Sequence, residues 1–181
     1  MTRVGPWERR SRRTVYENAW IEIWHDEVVR PDGAPGIYGV VHPTSHAVGI
    51  VAIDDEGRVA LVSQHRYPLG ERTWELPEGG VPFDEDPLAG AQRELAEETG
   101  AAASTWRVLC RFVLQDSFSD ERGTLYLATG LTHGGADPDG TEDIELRWVP
   151  FDDALAMVDD GTIEDAMSQL GLLRAARDLD R

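Results

Sequence analysis

GGVPFDEDPLAGAQRELAEETGA, residues 79–101, is the stretch from which the rest of the chain is read. It holds a helix with marked ends. Asp86 is a residue type that caps a helix N-terminus, and Pro87 suits the first helical position. Gly100 follows the last turn, where a residue in the left-handed region closes a helix. At about 100° per residue, Glu94, Glu97 and Glu98 share one face, with Leu88, Leu95 and Thr99 on an adjoining one. Gly90 falls on the acidic face one turn before Glu94, which predicts open space for a ligand there.

Three carboxylates at i, i+3 and i+4 repel one another, at a cost of a few tenths of a kcal/mol per pair, roughly. Ala101 and Ala102 stand one turn beyond Glu97 and Glu98, where a basic residue would relieve this. Arg93 reaches Glu97 at i+4 and offsets part of the repulsion. A hard divalent cation would supply the missing positive charge, since Mg2+ and Mn2+ prefer carboxylate oxygens. Taken alone, three glutamates read more readily as a solvated acidic face.

The surroundings change that balance. Gly79 is followed after five residues by Glu85, and after seven more by Arg93-Glu94-Leu95, then Glu97-Glu98 and Gly100-Ala101. This spacing resembles the Nudix box, the loop–helix–loop of the Nudix hydrolase family, with Ala101 where the family has a larger aliphatic residue. The resemblance implies an α/β fold, a Nudix-type α/β/α sandwich with a mixed sheet and an N-terminal β extension. Residues 1–45 would form the arm and extension, and 46–181 the hydrolase domain.

Composition bounds the reading. The chain has 181 residues, enough for a sizeable core, and a formal net charge of −17. Such a charge argues against nucleic acid or an anionic membrane as partner. It is compatible with a small phosphorylated substrate, because a bound metal reverses the local field. The sequence contains no lysine, which excludes P-loop and Schiff-base chemistry. Cys110 is the only cysteine, so no disulfide forms within the chain; its apolar surroundings predict an inert thiol. No apolar run approaches the roughly 18 residues of a membrane span. The basic N-terminus lacks the apolar stretch of a secretory signal, and a cytoplasmic location is expected.

In chain order, residues 1–14 carry five arginines against Glu8. They read as a frayed arm, or as an arm packed on a partner subunit. Residues 20–29 read as a strand, Pro31-Asp32-Gly33 as a turn, and Ile37 to Val41 as the returning strand. Trp20 and Trp24 would share a strand face, either packing in the core or offering a platform for a nucleobase. Residues 47–53 and 59–66 read as a β-hairpin whose central strand is buried on both sides. Arg66 closes the second strand, as a rim residue or as an anion clamp suited to phosphate oxygens. Pro77, Gly79 and Gly80 predict an irregular backbone, where a freed carbonyl makes a natural metal ligand. Residues 106–114, 125–129 and 144–149 read as strands. The polar stretch from Gly134 to Thr141 reads as an active-site loop. Asp152 would cap a short helix ending near Gly161, and residues 163–179 read as a terminal amphipathic helix.

The family resemblance implies further roles. Glu94 and Glu98 match its main metal-ligand glutamates, and Glu97 a third. The backbone carbonyl of Glu78 matches a further ligand in members that hydrolyse ADP-ribose. Arg93 resembles a structural partner of the glutamates, and Glu85 a tether or outer ligand. Arg66 matches an arginine that contacts substrate phosphate, Glu121 a glutamate that contacts substrate, and Glu142 a late glutamate that completes a metal site. Gly80 and Trp20 are expected to line the substrate. Two positions depart from the ADP-ribose pattern: Asp116 replaces a proline, and Gly140 stands where a catalytic base is found. Glu142, or else Asp139 or Glu97, then becomes the expected base. The implied activity is Mg2+- or Mn2+-dependent cleavage of the pyrophosphate bond of ADP-ribose or a nucleoside diphosphate sugar, by a homodimer. Triphosphate pyrophosphatase activity, or a non-catalytic nucleotide-binding role, are the alternatives.

Overall fold

The computed structural model describes residues 1–133 and 144–179. The elements are β1 (Thr2–Val4), β2 (Trp7–Glu17), β3 (Ile21–Val29), β4 (Pro35–Pro43), β5 (Ser45–Ala52), β6 (Arg58–Arg66), β7 (Glu71–Glu75) and β8 (Glu78–Pro82). There follow α1 (Pro87–Thr99), β9 (Ala101–Val113), β10 (Arg122–His133), β11 (Glu145–Pro150), α2 (Phe151–Asp159) and α3 (Ala166–Asp178). They divide into two compact units. The first is Met1–His46 with Val113–Arg122, and the second is Ala47–Phe112 with Gly123–Arg181.

The first unit is an antiparallel sheet in the order β1-β2-β3-β4. The basic N-terminus is therefore strand rather than frayed arm. Arg12 is matched across the ladder: it lies opposite Asp26 in register, and its Nε and Nη2 each donate to that carboxylate at 2.8 Å. The bond from Arg12 holds Asp26 below its ordinary value against the opposing effect of burial. The Arg12 guanidinium also covers the Trp24 ring at 3.8 Å, and His42 stacks on that ring with centroids 4.1 Å apart. Trp20 does not share the face of Trp24. It precedes β3 in a turn where its N–H donates to Asn18 Oδ1 at 2.8 Å, and it is 74% exposed, so it does not pack in the core. The segment 113–122 joins this unit through Val41, whose N–H donates to Phe118 O at 2.8 Å.

Among the described residues the second unit holds two sheets, β8-β5-β10-β9 and β11-β6-β7. The expected mixed sheet is present, with β5 and β10 pairing in parallel. Residues 47–53 and 59–66 do not form the expected hairpin. The Asp54 turn sends β5 and β6 into different sheets, with one isolated bridge between Ile53 and Val59. Burial of β5 on both faces is as expected. Val48, Ile50 and Ala52 pack with Ala91 and Leu95 of α1, while Val51 packs with Met167 and Leu172 of α3. This alternation is the period of two that a strand imposes on its side chains. Asp152 lies in the first turn of α2 and is not its cap; Asp165 caps α3, accepting from Ser168 N–H at 2.6 Å. Among the described residues no helix is long and apolar enough to cross a membrane.

Candidate functional site

Helix α1 carries the acidic face, and both its ends are built as read. Asp86 Oδ1 accepts from Leu88 and Ala89 N–H at 2.7 and 3.3 Å, and Gly100 takes φ 67° at the C-cap. The helix lies against β8. Gly79 and Gly80 belong to that strand, at the edge of its sheet, and the expected irregular backbone is confined to Leu76 and Pro77. An edge strand pairs on one side, so backbone groups on its other side stay open to a ligand.

The two glycines in contact here do different work. A Cβ on Gly79 would lie 2.2 Å from Glu94 Cδ and 2.5 Å from both of its oxygens, so the strand backbone meets the carboxylate face to face. A Cβ on Gly90 would lie 2.2 Å from Val81 Cγ2. Gly90 is thus buried against β8 and leaves no open space for a ligand, contrary to the reading from the helical wheel. Its bare backbone instead brings α1 close enough to seat Glu94 and Glu98.

Glu98 is buried, and its Oε2 accepts from the Glu78 N–H at 3.0 Å. Arg93 Nη1 bonds Glu94 Oε1 and Glu97 Oε2, both at 2.9 Å, and its Nη2 lies 3.7 Å from Glu85. Burial lowers the Arg93 pKa, but Glu94 and Glu97 outweigh it and hold the guanidinium above its ordinary value. The repulsion expected on this face is thus offset by one arginine fork among three carboxylates.

Glu78 contributes more than its backbone. Arg66, ending β6, donates from Nη2 to Glu78 Oε1 at 2.8 Å. It also grips Glu75 through Nε, at 2.9 and 3.1 Å from the two oxygens, and through Nη2. Thr73 donates to the same Glu75 carboxylate. Glu78 Oε2 is shielded from solvent and has no hydrogen-bond partner. Burial pushes the Glu78 carboxyl well above its ordinary value, with Asp165 and Glu75 adding to the push and Arg66 opposing it. Arg66, Glu75 and Glu78 line a cleft of about 520 Å³ together with Glu164 and Asp165. Glu75 is the residue missed in the sequence. Its signal was a charge set between Trp74 and Leu76, since a buried carboxylate demands a cationic partner nearby.

The structure therefore links Arg66, Glu78 and Glu98 by direct bonds, and Gly79, Glu94, Arg93 and Glu97 by contact. Gly80 follows in the same strand, with its carbonyl 3.5 Å from Arg93 Nη2. Trp20 and Glu121 belong to the first unit. Glu121 is half-buried, and burial raises its pKa. Glu142, with Asp139 and Gly140, lies outside the described residues. Cys110 is partly buried in β9, and burial raises its thiol pKa, in keeping with an inert role.

Among the described residues, no three His, Cys, Asp or Glu side chains converge to hold a metal ion unaided. The donor chemistry nevertheless fits a hard cation. Mg2+ keeps several waters and binds through one or two carboxylates plus substrate phosphates, so an open site is its usual one. Glu94 and Glu98, set against the backbone of an edge strand, suit that arrangement.

The family profile described as "NUDIX domain" matches residues 43–168. A second, described as "Nucleoside diphosphate sugar hydrolase N-terminal domain", matches residues 7–41. The chain is 38% identical over 166 residues to an ADP-ribose pyrophosphatase of Mycobacterium tuberculosis, covering 90% of this chain and 80% of that one. It is 30% identical over 167 residues to a CMP-5'-(N-acetyl-N-hydroxy-3-aminopropyl)phosphonate hydrolase of Streptomyces rubellomurinus, covering 92% and 81%. A crystal structure of an ADP compounds hydrolase superposes with a TM-score of 0.87 at 18% identity, covering 99% of this chain and 97% of that one. That likeness extends to the fold.

Proposed function

The chain belongs to the Nudix family, and from that premise we propose that it hydrolyses the pyrophosphate bond of ADP-ribose or a nucleoside diphosphate sugar. The products are a nucleoside monophosphate and a sugar phosphate. The observation that carries this reading is the seating of Glu94 and Glu98 against the β8 backbone, with Arg93 holding Glu94 and Glu97. The match of residues 7–41 to an N-terminal domain named for nucleoside diphosphate sugar hydrolases supports the substrate class. So does the name of the mycobacterial relative.

Glu94 and Glu98 would hold a divalent cation, Mg2+ or Mn2+, which would neutralise phosphate charge and lower the pKa of a water. In the reaction a water oxygen bonds to one phosphorus, and the bridging P–O bond breaks. The departing phosphate keeps the bridging oxygen, and the water's proton passes to a carboxylate. Glu97 is the described candidate for that proton, with its side chain 50% exposed beside the buried Glu98. Glu142 shares the role in the sequence reading, both as base and as metal ligand, together with the Glu78 carbonyl as a ligand. Arg93 keeps the glutamates in place and takes no part in bond making. Arg66 presents its guanidinium at the cleft as the phosphate-contacting cation. Trp20 and Glu121, in the first unit, carry no step here.

The test is a panel of ADP-ribose, nucleoside diphosphate sugars and nucleoside triphosphates, incubated with the purified chain and Mg2+. Diphosphate sugars turned over faster than triphosphates is the expected result. No hydrolysis of any diphosphate sugar by the folded protein would overturn the reading. Action in the cytoplasm as a homodimer completes the proposal, and sedimentation of the purified chain tests the oligomeric part.

A further inference from the structure

The Arg66 guanidinium is bound by two carboxylates that hold it very differently. Glu75 is the fixed partner. Both of its oxygens take the Arg66 fork, Thr73 donates to one of them, and its side chain is 4% exposed. Glu78 is held at one point. Its Oε1 accepts from Arg66 Nη2 at 2.8 Å, while Oε2 has no hydrogen-bond partner. An acceptor oxygen on a guanidinium N–H, with nothing anchoring the other oxygen of its carboxyl group, stands where a phosphate oxygen would bind. Arginine bonds carboxylate and phosphate oxygens with the same geometry, so the two compete for one donor.

We propose that the Glu78 carboxylate is an internal competitor for Arg66, which a substrate phosphate displaces, and that it sets the protein's affinity for diphosphates. Glu75 keeps Arg66 in place during the exchange; Glu78 gives up its single bond. The inference deepens the pyrophosphatase reading by assigning its phosphate affinity to one residue, and it rests on that reading for the identity of the ligand. Its consequence has an uncommon sign: removing an acidic side chain from the candidate site tightens anion binding through one named bond. The cleft offers its own control. Glu164 is an exposed carboxylate lining the same space, and it is not among the carboxylates that Arg66 grips.

The experiment is calorimetric titration of inorganic diphosphate into the full chain and into Glu78→Gln, Glu78→Ala and Glu164→Gln, with and without Mg2+. Thermal melts confirm that each is folded. Both Glu78 variants are expected to bind about tenfold tighter, the order of magnitude of one hydrogen bond to a charged group. Glu164→Gln should move affinity less than about twofold, as expected for an exposed, screened charge. In the hydrolysis assay the Glu78 variants should lower KM by a similar factor. Unchanged or weaker diphosphate binding by both Glu78 variants overturns the inference. So does equal tightening by Glu78→Gln and Glu164→Gln, which would reduce the effect to net charge. Because diphosphate binding needs no turnover, a chain that hydrolyses no sugar nucleotide defeats the pyrophosphatase reading while the titration still decides the role of Glu78.

Discussion

Gly79→Ala and Gly90→Ala are the same chemical change within one motif, and the structure assigns them opposite consequences. At Gly79 the added methyl would sit 2.2 Å from Glu94 Cδ, whereas ordinary contact begins at 3.4 Å. The carboxylate must retreat by about an ångström, a displacement that costs on the order of a hundredfold when it moves a group that positions the reaction. Glu94 can turn toward Arg93, already 2.9 Å away, so the stability loss should stay near 1 kcal/mol, roughly the low end for overpacking. At Gly90 the methyl meets Val81, which is fully buried and has nowhere to go. Overpacking against a side chain that cannot move takes the upper part of the usual range, about 2–3 kcal/mol, and the better helix propensity of alanine returns about 1, leaving a net loss of about 1–2 kcal/mol. For a chain of this size that lowers Tm by a few degrees, about 2–4 °C per kcal/mol. The assay is kcat/KM on a diphosphate sugar under saturating Mg2+, paired with thermal melts. Gly79→Ala should lose about a hundredfold in rate with a small Tm change. Gly90→Ala should melt several degrees lower and lose less rate per folded molecule than Gly79→Ala, since its methyl meets Val81 and not Glu94. A Gly79→Ala protein working at full rate, or a Gly90→Ala protein inactive at unchanged Tm, would overturn the roles given to these two glycines.

Other outcomes follow from single contacts. Glu98→Gln keeps an oxygen to accept the Glu78 N–H but removes the negative charge, so turnover should fall by more than about a hundredfold at nearly unchanged Tm, with metal affinity falling in parallel titrations. Arg12 lowers the Asp26 pKa, and a lowered folded-state pKa contributes stability above the ordinary value of 3.8 that is lost as pH falls through the folded value. Asp26→Asn should therefore cost about 1–2 kcal/mol at pH 7, discounted for the partial exposure of Arg12, and the gap to the parent should narrow progressively in melts taken below pH 3.8. Asp86→Ala removes the acceptor for two N–H groups at the start of α1 and should cost about 1 kcal/mol, read as a Tm drop with kcat unchanged.

Local chemistry made one part of this protein legible. The α1 helix ends, its acidic face and the apolar run of β5 are written in neighbouring residues, because caps, a 3.6-residue period and a two-sided burial pattern act over a turn or two. The second unit's strands after α1 were recognised, though β9 and β10 run longer than read. What failed was pairing. The basic residues 7–17 look like a solvated arm until Asp26 and Trp24 are brought opposite them by the β2–β3 ladder. The strand β7 went unread because its charges, Glu71, Arg72 and Glu75, hide a strand whose polar groups are matched by its neighbours.

Residue identity and spacing along a single helix suffice to show that this chain carries a Nudix helix with three glutamates on one face. What those residues meet is set by packing between elements far apart in the chain. Gly90 turned out to serve helix-to-strand approach rather than ligand access, and Arg66 turned out to be gripped by Glu75 and Glu78. The reason is physical: a local pattern sets which way a side chain points, while its energy and charge depend on groups that long-range packing brings within a few ångströms.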